Sequence, residues 1–149
     1  MIRFRFDDPY LERELRGRFD ALLSVAADLE VVVHGTLLYG EPAFPIVELA
    51  VGLLTWVNGG FVRGEPLEFT SAEFQEEGTI WIRPVEGGWL VGSVFQEPVE
   101  VGTVTGEAVR DAILAFAHEV KRRAPRAAAD YVESLLTESG LDRRDEYRS

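Results

Sequence analysis

LEFTSAEFQEEGTIWIRPVEGGWLVGSVFQ, residues 67–96, decides the fold. Three runs within it, Leu67 to Phe74, Thr79 to Val85 and Trp89 to Gln96, alternate apolar and polar residues with the period of half-buried strands. Gln75-Glu76-Glu77-Gly78 and Gly87-Gly88 join them, and connections this short permit only antiparallel neighbours. The stretch is therefore expected to form a meander. With Gly87-Gly88 as the turn, Trp89 faces Glu86, Val91 faces Pro84, Ser93 faces Ile82 and Phe95 faces Ile80, while Leu67, Phe69, Ser71 and Glu73 share that side. This side is mainly apolar, with a polar notch of Ser71, Ser93 and Glu73. The other sets Trp81 beside Val94 and Ala72, Val85 beside Leu90, and Arg83 between Thr70 and Gly92. Large apolar groups on both sides imply helices over one and a second cover, either the terminal helices or a partner, over the other.

Upstream, Pro45 opens a run in which Ile46, Leu49, Ala50, Leu53 and Val57 share a helical face, with Glu48, Gly52 and Thr55 opposite and Gly59-Gly60 as the stop. This helix is the best core candidate. Before it, Leu29 to Val33 and Thr36 to Tyr39 flank His34-Gly35, a hairpin loop, and Pro42 and Pro45 are expected to break the chain. Ile2, Phe4 and Phe6 alternate with Arg3 and Arg5 as a strand. Asp7-Asp8-Pro9 then resembles a helix start, followed by Leu11, Leu15, Phe19, Leu22 and Ala26 at helical spacing, although Ala21 to Val25 could equally begin a strand. Downstream, Val99 to Thr103 is a candidate fourth strand. Thr105 caps a helix with Val109, Ile113, Phe116 and Val120 on one face, ending before Pro125. A last helix from Arg126 to Ser139 carries Ala128, Tyr131, Val132, Leu135 and Leu136, with Gly140 as terminator and 141–149 as a flexible tail. The expected fold is one α+β domain over residues 1–149: a twisted antiparallel sheet containing the meander, with the helices packed mainly on one face.

Composition excludes several classes of function. The chain has 149 residues, no cysteine and two histidines, so a disulfide framework, a thiolate nucleophile, a Cys-ligated zinc or a three-His metal site cannot be built. No cofactor is expected, and the cysteine-free chain reads as cytoplasmic. The longest apolar run, Ile46 to Val57, falls short of the ~20 residues of a membrane span. The net charge of -11 lies wholly between residues 21 and 109, where only Arg63 and Arg83 stand against Asp28 and the glutamates, while both ends are neutral. Phosphate backbones and anionic membrane surfaces would repel such a segment, so neither nucleic acid nor membrane is an expected partner. The basic residues are arginines except for Lys121, a bias in keeping with a GC-rich genome.

The local motifs yield little chemistry. Gly87 to Ser93 has the outline of a phosphate loop but no lysine and a strand context. Gly92-Ser93 fails as a nucleophile elbow because position 95 is Phe. His34 reads as a turn residue and His118 as a solvated one. Glu73, Glu76 and Glu77 could form a hard-metal site or an acid/base pair, yet a turn ending in glycine leaves such acids solvated, ionised and equivalent.

Three stretches together resemble a known family: Glu41-Pro-Ala-Phe-Pro-Ile-Val-Glu-Leu-Ala50 leading to Trp56; Phe69 with Ser71, Glu73, Glu76 and Gly78; and Gly88-Trp-Leu-Val-Gly-Ser-Val-Phe95. The family is one of small, acidic, uncharacterised proteins of high-GC Gram-positive bacteria, a domain of unknown function, and the resemblance spans roughly residues 29 to 120. It implies a bacterial cytoplasmic protein and carries over no catalytic or binding residues. At the level of class, small acidic α+β proteins also resemble immunity proteins that neutralise toxins.

The resulting expectation is a non-catalytic protein-binding module, immunity-like or regulatory, whose acidic middle meets a basic partner. Glu73, Glu76 and Glu77 would supply charge, and Trp81 and Arg83 the aromatic and guanidinium anchors that interfaces favour. The simpler alternative is acidity that only maintains solubility. Two others are small-ligand binding between sheet and helix, and a hydrolase or isomerase using carboxylate general-base chemistry near Glu73, Ser71 and Ser93. A homodimer through Leu114 or an uncovered Trp81 is a further expectation.

Overall fold

β-branched residues crowd the longest hairpin. β3 (Val25–Val33) and β4 (Thr36–Pro45) pair around His34-Gly35, which take φ of 48° and 79°; a two-residue loop compatible with sheet twist needs positive φ at both positions. This computed structural model describes residues 1–11, 25–70, 79–95 and 102–148. β1 (Ile2–Phe6) runs antiparallel to β3 from Ile2 opposite Val33 to Phe6 opposite Leu29, as the alternation of Phe and Arg implies, with Arg3 and Arg5 exposed. β2 (Tyr10–Leu11) continues the same edge opposite Ala26 and Val25.

Two expectations fail in this first sheet. Asp7-Asp8-Pro9 starts no helix, because the chain passes directly into β2. Asp7 instead receives the Asp28 backbone N–H on its carboxylate at 2.8 Å and donates its own N–H to the Asp28 carbonyl at 3.3 Å. The helical spacing expected beyond Leu11 falls mostly on residues 12–24, outside the described residues, while Ala26 belongs to β3. Nor does Pro42 break the chain after Tyr39, although the strand does end at Pro45. The register shifts between Ala27 and Leu29, so that Pro42 and Ala43 together oppose Asp28 in a bulge, where a missing ladder donor costs little. Asp28 Oδ1 accepts the Ala43 N–H at 3.1 Å and supports the φ of 53° there.

α1 (Ile46–Asn58) follows without a linker and is buried on more than the expected face, since Val47, Leu54 and Trp56 are covered along with Ile46, Leu49, Ala50, Leu53 and Val57. It is the centre of the molecule, touching both sheets and the two later helices. Its end is closed by the Gly59 and Phe61 N–H groups on the Trp56 carbonyl.

The meander is antiparallel, as expected, but forms a sheet of its own: β5 (Leu67–Phe69), β6 (Ile80–Val85) and β7 (Gly88–Gly92). Its turn is Glu86-Gly87, not Gly87-Gly88, because Val85 pairs with Gly88. Gly88 is needed elsewhere. A Cβ there would lie 2.5 Å from the Val104 carbonyl oxygen, and Trp89 and Val104 exchange backbone bonds of 2.8 and 2.9 Å across that approach. Val104 thus pairs beside β7, whereas Val99 to Val101 lie outside the described residues. The two-residue slip changes the partners but preserves the faces.

α2 (Gly106–Arg123) begins as expected, with Thr105 Oγ1 accepting the Ala108 N–H at 3.1 Å, and buries Val109, Ile113, Phe116, Ala117 and Val120. α3 (Arg126–Arg148) does not stop at Gly140, since one glycine in a helix costs only about 1 kcal/mol. The core joins all layers: Phe4 meets Phe116 at 5.6 Å between ring centres, Phe44 meets Phe69 at 6.0 Å, and Trp56 meets Trp89 at 5.4 Å.

Candidate functional site

The alternation along β6 sends Ile80 and Ile82 inward, where with Leu67, Phe69 and Val91 they are buried towards α1, and sends Trp81, Arg83 and Val85 outward. On the outer face Trp81 pairs with Glu68 on one side and Gly92 on the other. The absence of a side chain at Gly92 is what seats the indole: a Cβ there would meet Trp81 Cζ2 at 2.1 Å and Cε2 at 2.4 Å. The ring therefore lies flat across the β7 backbone, half-buried within the sheet surface. The Arg83 guanidinium carbon sits 4.2 Å from the indole centre, and its Nη2 lies 3.7 Å from Glu68 Oε1. Arg83 and Glu68 are about half exposed, so their attraction is screened and serves orientation more than stability. The result is a pre-set aromatic platform flanked by one cation and one anion. Solvent-exposed Val85 extends the apolar surface of this face, while Val94 and Phe95, past the end of β7, are also exposed and Phe95 stacks on Tyr39 at 6.4 Å.

Trp81 and Arg83, two of the expected site residues, are thus brought into direct contact. Their neighbours differ from the expected ones: Gly92 and Glu68 replace Val94 and Ala72 beside Trp81, and Leu90 stands opposite Arg83. Glu73, Glu76 and Glu77 lie outside the described residues, as does Ser71. Ser93, the remaining member of the polar notch, is buried and accepts the Phe95 N–H at 3.2 Å. Glu68 and Gly92 were missed: placing the turn one residue earlier, at Glu86-Gly87, would have found Gly92, whereas Glu68 follows from the β5–β6 register, which is four residues from the expected one.

His34, expected as a turn residue, also binds: its Nδ1 is 2.8 Å from the Met1 nitrogen and its Nε2 2.8 Å from the Thr103 carbonyl oxygen, tying the hairpin to the segment before α2. Leu114, offered as a dimer contact, packs partly buried against the core. Burial, with Glu41 adding to it, pushes the Tyr39 phenol well above its ordinary range, and its hydroxyl has no hydrogen-bond partner among the described residues. Among the described residues no group of three or more His, Asp or Glu side chains could hold a metal ion, and no helix is long and apolar enough to cross a membrane.

No curated protein and no solved structure matches the chain. A family model does, over residues 2–125, and its length exceeds the span suggested by the three sequence stretches; the chain belongs to the family described as "Domain of unknown function (DUF7878)".

Proposed function

We propose that the protein is a non-catalytic binding module, immunity-like or regulatory, whose outer meander face engages a basic protein surface. The observation that carries this reading is the seating of Trp81 across Gly92 beneath Arg83. An aromatic ring held in place before binding contributes contact area at little further entropic cost, and Trp and Arg are enriched among residues that dominate interface energies. Exposed Val85 supplies apolar surface on the same face, and Glu68 stands at its side. The charge of -11 between residues 21 and 109 supplies a field that accelerates encounter with a cationic partner.

The test is affinity capture from the source cell with the wild-type chain and with Trp81→Ala, at low salt and at about 0.5 M salt, where screening is strong. A basic protein retained by the wild type, lost with Trp81→Ala and weakened by salt is the expected result. Capture that ignores Trp81→Ala, or an acidic partner, would overturn the reading and leave solubility as the role of the charge. With a partner in hand, exchanging Glu73, Glu76 and Glu77 for Gln should slow association far more than it speeds dissociation, because a reduced net charge weakens chiefly the field that steers encounter.

A further inference from the structure

Among the described residues β1 ends the first sheet, and its hydrogen-bonding pattern fixes which backbone groups look outward. The His34 N–H donates to the Met1 carbonyl at 2.7 Å and the Asp7 N–H to the Asp28 carbonyl at 3.3 Å. Odd-numbered residues therefore bond to β3, and Ile2, Phe4 and Phe6 direct their N–H and C=O groups away from it. Of these outward groups, the Phe6 carbonyl is occupied: it accepts Arg123 Nη1 at 3.2 Å, and the same guanidinium reaches Asp8 at 3.1 Å. Beyond the strand runs a groove of about 600 Å3 whose far wall is the flank of α2, including Ala108, Ala112 and Ala115. Natural proteins normally blunt or cover such an edge, because open donors and acceptors template another strand.

The charges around the groove are matched except at one place. Arg5 is paired with Glu30 directly across β3 at 3.3 Å, Glu119 is held by Arg122 at 2.7 Å, and Asp111 is also engaged. Arg3 is exposed and has no ion-pair partner among the described residues.

We propose that the β1 edge is a docking strand for an extended segment of another protein, added antiparallel, with an apolar-acidic-apolar sequence. Opposite Ile2 and Phe4 the incoming residues exchange backbone bonds, and their apolar side chains turn towards the alanines of α2. Between them the acidic residue falls at the close, non-bonded pair with Arg3, where opposed Cα atoms stand only about 4.5 Å apart. It would repeat on the free edge what Glu30 does for Arg5 on the paired one. A second copy of this chain fits poorly. Antiparallel self-pairing centred on Phe4 sets Arg3 against Arg5, and centring on Arg3 sets it against itself, and like charges directly opposite destabilise a strand pair.

The experiment is selection of a randomised displayed peptide library on the immobilised full chain, followed by anisotropy titration and amide NMR with the best peptide. Enrichment of apolar-Asp/Glu-apolar peptides that shift the Ile2, Phe4 and Phe6 amides is expected. Arg3→Glu should weaken that peptide by about tenfold, reversing a surface charge contact that each way is worth under ~1 kcal/mol. Ala115→Trp, which fills the groove from an exposed position, should abolish binding, while melting curves show both variants folded. No enrichment, the same selected sequences with Arg3→Glu, or amide shifts confined to other strands would overturn the proposal. So would a dimer in sedimentation that Ala115→Trp dissociates, since the groove would then belong to a second copy.

Discussion

Gly92→Ala should push Trp81 off the sheet. The added methyl would sit 2.1 Å from Cζ2 and 2.6 Å from Cη2, far inside van der Waals contact, so the indole has to rotate away. It then loses about half of the ~1.5–3 kcal/mol that full burial of a large apolar side chain brings, or ~1 kcal/mol. It also loses its stacking with Arg83, worth ~0.5–1 kcal/mol at an exposed site. Replacing glycine by alanine at a position free of positive φ returns ~0.5–1 kcal/mol by restricting the unfolded chain. The net expectation is a loss of about 1 kcal/mol, a melting temperature lower by ~2–4 °C, and a red-shifted tryptophan emission. The decisive measurement is a double-mutant cycle in urea. With Trp81→Ala already present, Gly92→Ala has nothing to displace and should stabilise by ~0.5–1 kcal/mol, giving a coupling of ~1.5–2 kcal/mol. A coupling below ~0.5 kcal/mol, the ordinary scatter of additivity, would refute the seating of Trp81 on Gly92.

Tyr39→Phe removes a buried hydroxyl that lacks a partner among the described residues and should stabilise by ~0.5–1 kcal/mol at pH 7. Because burial raises the Tyr39 ionisation in the folded state, the unfolded chain releases its proton first as pH passes about 10, and stability falls from there upward. The variant should lose part of that alkaline slope in urea titrations at pH 7 and 10.5, and a variant destabilised at pH 7 would show that the hydroxyl is satisfied. Thr105→Ala deletes the cap on α2 and should cost about 1 kcal/mol by chemical denaturation, with no change meaning that the Ala108 N–H has another acceptor. On the acid side, the carboxyls of Glu65, Glu119 and Glu133 are held below their ordinary range by hydrogen bonds from Arg63, Arg122 and Lys121. Their stabilisation is present above about pH 4.3 and lost as pH falls through their lower folded values. Melting temperatures from pH 5 to 3 should decline, and Glu119→Gln should flatten the decline slightly; a steeper decline would contradict the sign.

Much of the fold was legible because its signals are local. His34-Gly35 can form a tight hairpin from its own backbone preferences, Thr105 caps the helix three residues before the amide it accepts, and the spacing of Val109, Ile113, Phe116 and Val120 declares a buried face within one element. The short connections of the meander likewise made its strands antiparallel whatever surrounded them. Tertiary structure decided whatever two distant segments had to settle together. Gly87-Gly88 and Glu86-Gly87 are both acceptable turns, and the choice fell to Val104, whose backbone needs Gly88 bare at close approach. Pro42 stays inside a strand because Asp28, on the facing strand, holds the bulge that removes the need for its missing N–H. Trp81 and Arg83 could be named from sequence as anchors, but the seat on Gly92 depended on a β6–β7 register two residues away from the expected one, and the approach of Glu68 on a β5–β6 register four residues away. The β1 edge was equally invisible, since alternation shows which side of a strand is wet but not which strand lacks a second neighbour among the described residues. That property belongs to the whole sheet, and to the helix that leaves a groove beside it.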